Sequence, residues 1–151
     1  MEGYADLVPV GRALLATALG AVLGHERERE GHEAGTRTYA IVALGAYLFG
    51  YVSTLGGESE QTRVAAQVAV GIGFLGGGVI LRGRQRVHGL TTAATVWVTA
   101  AIGLAVAFGA YLLPVAATLI VYGLLRAPHS EPRRPNEQPD KNEESEPVAQ
   151  R

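Results

Sequence analysis

Apolar residues in this chain are gathered into five long runs, and short charged joints separate them. The runs cover Leu7–Gly24, Thr38–Leu55, Val64–Leu81, Leu90–Phe108 and Tyr111–Leu125. As helices of about 15 to 19 residues they would span roughly 22 to 29 Å, close to the hydrocarbon core of a bilayer, about 30 Å thick. Buried helices of a soluble bundle need polar outward faces, which the uncharged third and fourth runs lack. The pattern predicts an all-α membrane protein, a five-helix transmembrane bundle.

The distribution of arginine among the joints predicts the orientation. Arginines are concentrated in the first joint, residues 25–37, and the third, residues 82–89, whereas the second holds only Arg63 and the fourth none. Because cytoplasmic joints carry the excess of Lys and Arg, we expect an inner-membrane protein with its N-terminus outside and its C-terminus cytoplasmic. Tyr51 and Tyr111 then fall at the outer interface, and Tyr39 and Tyr122 at the inner one.

Composition divides the chain in two. Residues 1–125 form the predicted membrane domain, whereas residues 126–151 are nearly all polar, charged or proline. Such a segment cannot bury enough apolar surface to offset the entropy of ordering, so we predict a disordered cytoplasmic tail. The net charge of -1 identifies no partner, and no basic face points to a nucleic acid. The absence of cysteine excludes thiolate chemistry.

The third run contains five glycines within residues 71–78. Each costs a helix interior about 1 kcal/mol relative to alanine. Two interpretations stay open. One is close helix packing, with Gly73 and Gly77 on one small-residue face, as Gly20 and Gly24 would form in the first run. The other is a loosened helix whose backbone carbonyls line an ion or solute site.

Polar residues in the third and fourth runs are few. Gln67 lies one turn inside the third run on the same face as Arg63, and a structural hydrogen bond across helices is the commoner role for such an amide. Thr91 and Thr92 open the fourth run, either as helix caps or as oxygen ligands at a cytoplasmic mouth. With the glycines, these residues frame a hypothetical transport site between the third and fourth helices.

The first joint is dense in charge, with two histidines and four glutamates in residues 25–33. Its spacing matches no familiar metal-ligand pattern, so a solvated charge run beside the membrane is the expected role. The sequence shows no nucleophile–base grouping and no paired buried carboxylates. We therefore predict that the protein is not an enzyme and needs no cofactor.

Four sequence blocks carry a family resemblance. They are residues 24–28 (Gly-His-Glu-Arg-Glu), residues 34–38 (Ala-Gly-Thr-Arg-Thr), the glycine-rich residues 63–80, and residues 87–103. In this order they resemble the MgtC/SapB family of bacterial inner-membrane proteins. The candidate functional residues within or beside these blocks are Glu26, Arg37, Arg63, Gln67, Gly73, Gly77, Arg82, Thr91 and Thr92.

The resemblance implies a role in magnesium homeostasis and, for some members, survival in a host or restraint of the F-type ATP synthase. Our leading hypothesis is a non-enzymatic protein that lies in the lipid bilayer and binds membrane partners through its glycine faces. A homo-oligomer is a further alternative, and the sequence does not determine the oligomeric state. The alternative is an ion or small-solute transporter or channel with a site between helices three and four.

Overall fold

The computed structural model describes residues 3–82 and 87–127, which form five helices and one pair of short strands. The helices are α1 (Gly3–Arg29), α2 (Thr36–Thr54), α3 (Glu58–Val79), α4 (Leu90–Ala107) and α5 (Leu112–Arg126). Strands β1 (Leu81–Arg82) and β2 (Val87–His88) pair antiparallel between α3 and α4. The predicted five-helix architecture is confirmed. The strand pair was not predicted, and the predicted disordered tail lies outside the described residues beyond Ala127.

The helices have the length and surface of a membrane protein. Within the described residues, three segments are long and apolar enough to cross a bilayer, namely Leu7–Arg29, Glu58–Val79 and Leu90–Ala107. Helix α5 is apolar but shorter, with 15 residues. Large apolar side chains cover the outside of the bundle, and Phe74 and Leu112 are each 84% exposed. Since a soluble surface rarely carries so much contiguous apolar area, lipid is the natural surrounding of these helices.

Helix α1 is longer than its apolar run. The run ends at Gly24, but the helix continues to Arg29, and its 27 residues amount to about 40 Å. This exceeds the hydrocarbon core, so the segment from His25 to Arg29 projects beyond the apolar layer. The helix is closed by Gly31, whose φ of 79° is the left-handed conformation that suits glycine, and by a 3.1 Å bond from the His32 N–H to the Arg27 carbonyl.

Glycines bring the three central helices together. Helix α2 packs most extensively, on α1 and on α4, and α1 also contacts α4, whereas α3 packs against α4 and α2 and α5 packs against α1 and α4. A Cβ added to Gly20 would lie 2.8 Å from the Ala43 Cβ, and one added to Gly24 would lie 2.7 Å from the Gly35 carbonyl oxygen. A Cβ on Gly103 would collide with the Ala43 carbonyl oxygen. The close approach predicted for Gly20 and Gly24 is therefore confirmed.

Helix α3 packs differently. Its only buried residue is Gly76, where a Cβ would lie 3.5 Å from the Ala93 Cβ. A Cβ on Gly73 or Gly77 would meet nothing within 4 Å, so the packing predicted at these two glycines is not made within the described chain. The helix is continuous from Glu58 to Val79. The loosened helix of the second interpretation is therefore not observed.

Candidate functional site at the charged end of the bundle

The last turns of α1 and α5 and the first turns of α2 and α4 meet at one end of the bundle, which is called the charged end. It comprises residues 25–39 from the end of α1 to the start of α2, residues 88–95 at the start of α4, and residues 122–127 at the end of α5. His32 of the first joint and His88 of the third line the same cavity. The two arginine-rich joints therefore lie at the same end of the bundle, as the charge distribution predicts. Which side of the membrane this end faces stays a prediction.

Arg27 lies at the centre of the charged end and is only 4% exposed. One guanidinium nitrogen donates to the Glu30 carboxylate at 2.7 Å, and the other donates to the Thr92 hydroxyl at 3.0 Å. Its Nε has no hydrogen-bond partner among the described residues. Glu26 is also buried, so the expectation of a solvated charge run is wrong for these two residues. The reason is that α1 continues past Gly24 and turns both side chains inward.

A column of hydroxyl groups leads from Arg27 into the bundle. Thr92, Thr95 and Thr99 are buried on one face of α4. Thr95 donates to the carbonyls of Thr91 and Thr92 at 2.9 and 3.0 Å, and Thr99 donates to the carbonyl of Thr95 at 2.8 Å. The Tyr39 hydroxyl also bonds Thr95. Since the single hydroxyl hydrogen of Thr95 is used on the carbonyls, Tyr39 is the donor.

Tyr39 belongs to the charged end, but its ring does not face the surrounding membrane as the side chain of an interfacial belt would. It is fully buried, because the start of α2 packs against the glycine face of α1. The ring thus belongs to the core, together with Leu23 and Val96. Its hydroxyl finds a partner there, as a buried tyrosine hydroxyl usually does.

Glu26 joins α1 to the end of α5. Its carboxylate accepts hydrogen bonds from Nε and Nη2 of Arg126 at 2.9 and 3.3 Å. The Arg126 guanidinium lies 4.7 Å above the Tyr122 ring, a cation–π contact. Glu26 follows the apolar run of α1, which ends at Gly24. The hydrogen bond from Arg126 lowers the pKa of the Glu26 carboxyl, and this outweighs the effect of burial, which raises it.

Glu28 joins α1 to the start of α2. Its carboxylate accepts a 2.9 Å hydrogen bond from the backbone N–H of Thr36, the first residue of α2. No side chain caps this helix at Gly35, so the carboxylate of Glu28 satisfies one of the free N–H groups and complements the helix dipole. The hydrogen bonds from Thr36 lower the pKa of the Glu28 carboxyl. The charged segment of α1 thus fixes the positions of two other helices.

A cavity of about 730 Å³ opens at the charged end. Its wall includes Arg27 and Arg126, His32 and His88, and the first turn of α4. No group of three or more His, Cys, Asp or Glu side chains suits a metal ion within the described residues. The site is therefore richer in hydrogen-bond donors and cations than in the carboxylates that a divalent cation would require.

Four of the predicted site residues belong to the charged end, namely Glu26, Arg37, Thr91 and Thr92. Arg37 is exposed there and does not line the cavity. The others do not join them, and Arg63 is exposed and pairs with Glu60 on its own helix. Gly73 and Gly77 face outward from α3.

The remaining two predicted residues lie apart as well. Gln67 lines an apolar groove of about 500 Å³ between α2 and α3. It is exposed and makes no side-chain hydrogen bond with the described residues. Arg82 belongs to β1, and its side chain lies outside the described part.

Sequence analysis missed Arg27, Tyr39, Thr95 and Arg126. One signal for Arg27 was available, because Ala16, Gly20, Leu23 and Arg27 recur at the spacing of one helix face. The spacing of Thr92, Thr95 and Thr99 likewise predicts a common face on α4. For Arg126, which follows the last apolar run, the sequence holds no such signal.

These observations define a multi-pass helical membrane protein with a buried polar cluster at one end. The family model described as MgtC family matches residues 13–130. The chain therefore belongs to the MgtC family, and the resemblance found in the sequence is confirmed. No solved structure matches the chain.

Curated relatives carry the same similarity. SrpB of Synechococcus elongatus is 43% identical over 122 residues, which cover 71% of this chain and 67% of that protein. MgtC of Salmonella typhimurium is 45% identical over 108 residues, or 72% of this chain and 47% of MgtC. YhiD of Escherichia coli K12, named as a candidate magnesium transporter, is 38% identical over 127 residues, or 78% of this chain and 59% of YhiD. The chain spans about half the length of MgtC.

Proposed function

We propose that this chain is a non-enzymatic inner-membrane protein that supports adaptation to low magnesium by binding a membrane partner through α3. Membership of the MgtC family and the similarity to MgtC support the physiological role. The outward side of α3 supports the mode of action. The open face of α3 is defined here as Ala66, Val70, Gly73, Phe74 and Gly77, all exposed.

The open face has the form of a helix-docking surface. Each member lies three or four residues from another, so together they form one side of the helix. Val70 and Phe74 are 71% and 84% exposed, and they flank two glycines above which the chain leaves open space. Small residues between larger ones allow the backbone of another helix to approach closely in a bilayer.

The main support for this proposal is that Gly73 and Gly77 lower the stability of the helix without making a contact that would offset the loss. Each lowers helix stability by about 1 kcal/mol relative to alanine, and neither allows a contact within the described chain. A partner helix on this face would recover that cost. The family resemblance implies the F-type ATP synthase as one such partner, and a second copy of the chain is the competing occupant.

Leucine substitutions test the docking face. We expect Gly73→Leu and Gly77→Leu to abolish growth at limiting magnesium in a strain that depends on this chain, because the added bulk blocks close approach. Gly123→Leu is the matched control, since it adds the same bulk at an exposed glycine that also faces open space, but on α5 and not on the open face. Membrane abundance of all three variants should match the parent. Normal growth with both Gly73→Leu and Gly77→Leu would contradict the proposal.

The transporter hypothesis has a specific observation in its favour, namely the similarity to YhiD. Its hypothetical site between α3 and α4 is not supported by the positions of the residues, since Gln67 lines the groove toward α2 whereas Thr91 and Thr92 line the cavity at the charged end. Magnesium also prefers oxygen ligands such as carboxylates, and the five apolar runs contain no Asp or Glu. A flux assay in reconstituted vesicles with a magnesium-sensitive dye distinguishes a transporter from a protein that acts by binding a partner. We expect no flux above that of empty vesicles, and flux that Thr92→Val abolishes would favour the transporter.

The proposed orientation places the charged end in the cytoplasm. Its support is the excess of arginine in the first and third joints. Reporter fusions after Gly57 and after Ala127 test it, because the first should report the outside and the second the cytoplasm. The reverse assignment would overturn the orientation but not the docking face.

A further inference from the structure

We propose that the cavity at the charged end binds a phosphate oxyanion between Arg27 and the first turn of α4. The phosphate belongs either to a lipid headgroup or to a free phosphate compound. This site is separate from the open face of α3, so it stands whether or not the proposed function does.

The start of α4 presents unpaired donors to the cavity. The first backbone hydrogen bond of this region joins the Ala93 N–H to the Gly89 carbonyl at 2.8 Å. The N–H groups of Leu90, Thr91 and Thr92 come before it and have no backbone partner among the described residues. No side chain caps the helix, and Gly89 turns into it with a φ of 87°. The uncapped start of an 18-residue helix attracts anions through its N–H groups and its dipole.

Arg27 is the second, independent observation. Its guanidinium is buried in the wall of the same cavity. Nη1 bonds Glu30 and Nη2 bonds Thr92, so each keeps a second hydrogen for an anion, and Nε, which is enclosed, has no partner among the described residues. A buried cation that is incompletely paired is costly, and the guanidinium fork matches phosphate oxygens. Nη2 of Arg27 bonds Thr92, so the guanidinium lies beside the first turn of α4 in the wall of the cavity.

The charges around the cavity favour an anion. Its wall holds the cations Arg27 and Arg126 and the titratable His32 and His88, against the single carboxylate of Glu30. Glu30 takes one hydrogen bond from Arg27, and its side chain is 34% exposed. Glu26 is close by, but its carboxylate pairs with Arg126. The volume of about 730 Å³ leaves room for a phosphate and part of a headgroup.

The variant that tests the site is Thr91→Glu. Thr91 is exposed at the helix start, so a glutamate fits there and places its carboxylate where the anion would bind. Negative charge in the first turn also stabilises a helix, so the variant should fold with an unchanged or higher melting temperature. Thr91→Gln controls for size. Arg29→Gln removes a cation from the same end but outside the cavity, because Arg29 is 61% exposed and does not line the cavity wall.

Two probes distinguish the source of the phosphate. Calorimetry on the full chain in detergent measures binding of inorganic phosphate. Native mass spectrometry compares retained phosphatidylglycerol with retained diacylglycerol, which lacks the phosphate. Arg27→Gln serves as a second variant in both measurements, and its fold is checked by circular dichroism.

We expect one of the two probes to bind the parent, Thr91→Gln and Arg29→Gln, and to bind Thr91→Glu roughly tenfold or more weakly, because of like-charge repulsion at close range. Binding of inorganic phosphate identifies a free phosphate compound as the ligand class. Selective retention of phosphatidylglycerol identifies a lipid headgroup. Binding of neither probe, or equal binding to the parent and to Thr91→Glu, would overturn the proposal.

Discussion

The central helices and α3 are both rich in glycine, but they use it in opposite ways. In α1 and α4, Gly20, Gly24 and Gly103 lie against a neighbouring backbone with no room for a Cβ. In α3, Gly73 and Gly77 face open space. The comparison shows that a small-residue face within a membrane bundle either closes the fold or is left free for contact outside it, and that the composition of a helix does not distinguish the two.

The largest expected difference between the two regions follows from alanine substitution. Gly103→Ala drives a Cβ into the Ala43 carbonyl and to 3.1 Å from the Ala46 Cβ, so we expect a loss of about 1–3 kcal/mol or more in the free energy of unfolding. Gly78→Ala meets nothing within 4 Å and should stabilise the chain by up to about 1 kcal/mol through helix propensity. Unfolding in detergent measures both, and similar effects at the two sites would remove the contrast.

The sequence was sufficient to predict the five helices, because hydrophobic length and charged joints determine them locally. It also predicted that the first and third joints share an end. It did not distinguish Gly73 from Gly20, because the spacing of small residues says nothing about which neighbour lies opposite. The burial of Arg27 and Tyr39 was missed for related reasons. That of Arg27 depends on α1 continuing past its apolar run, whereas hydropathy alone ends the run at Gly24. That of Tyr39 depends on which face of α2 meets Gly20 and Gly24.

A smaller effect is expected inside the polar column of the central helices. Tyr39→Phe removes the hydroxyl that bonds Thr95 and should cost about 0.5–1.5 kcal/mol of unfolding free energy. Tyr51→Phe is the matched control on α2, since its hydroxyl makes no hydrogen bond with the described residues. If both variants unfold at the same denaturant concentration, the column does not stabilise the core.

The smallest effect concerns the contact between α1 and α5. The pKa of Glu26 is lowered from its ordinary value of 4.5, so the stabilisation is present above that pH and is lost as the pH falls below it. It should be modest, because Arg126 is half exposed. Hydrogen exchange at the last turn of α5, corrected for intrinsic rates, should show weaker protection at pH 4 than at pH 7. Glu26→Gln should make the protection independent of pH, and a persistent pH dependence would contradict this assignment.

Photocrosslinking in intact membranes tests most directly whether the open face of α3 is a docking surface. A photoreactive residue replaces Phe74 in one variant of the full chain and Ile120 in another. Ile120 is the matched control, because it is 63% exposed on α5 and lies at a similar distance from the charged end of its helix. We predict adducts with a different membrane protein from position 74 and only lipid adducts from position 120. Lipid adducts alone from position 74, adducts only with a second copy of the chain, or the same protein adduct from both positions would contradict the proposal.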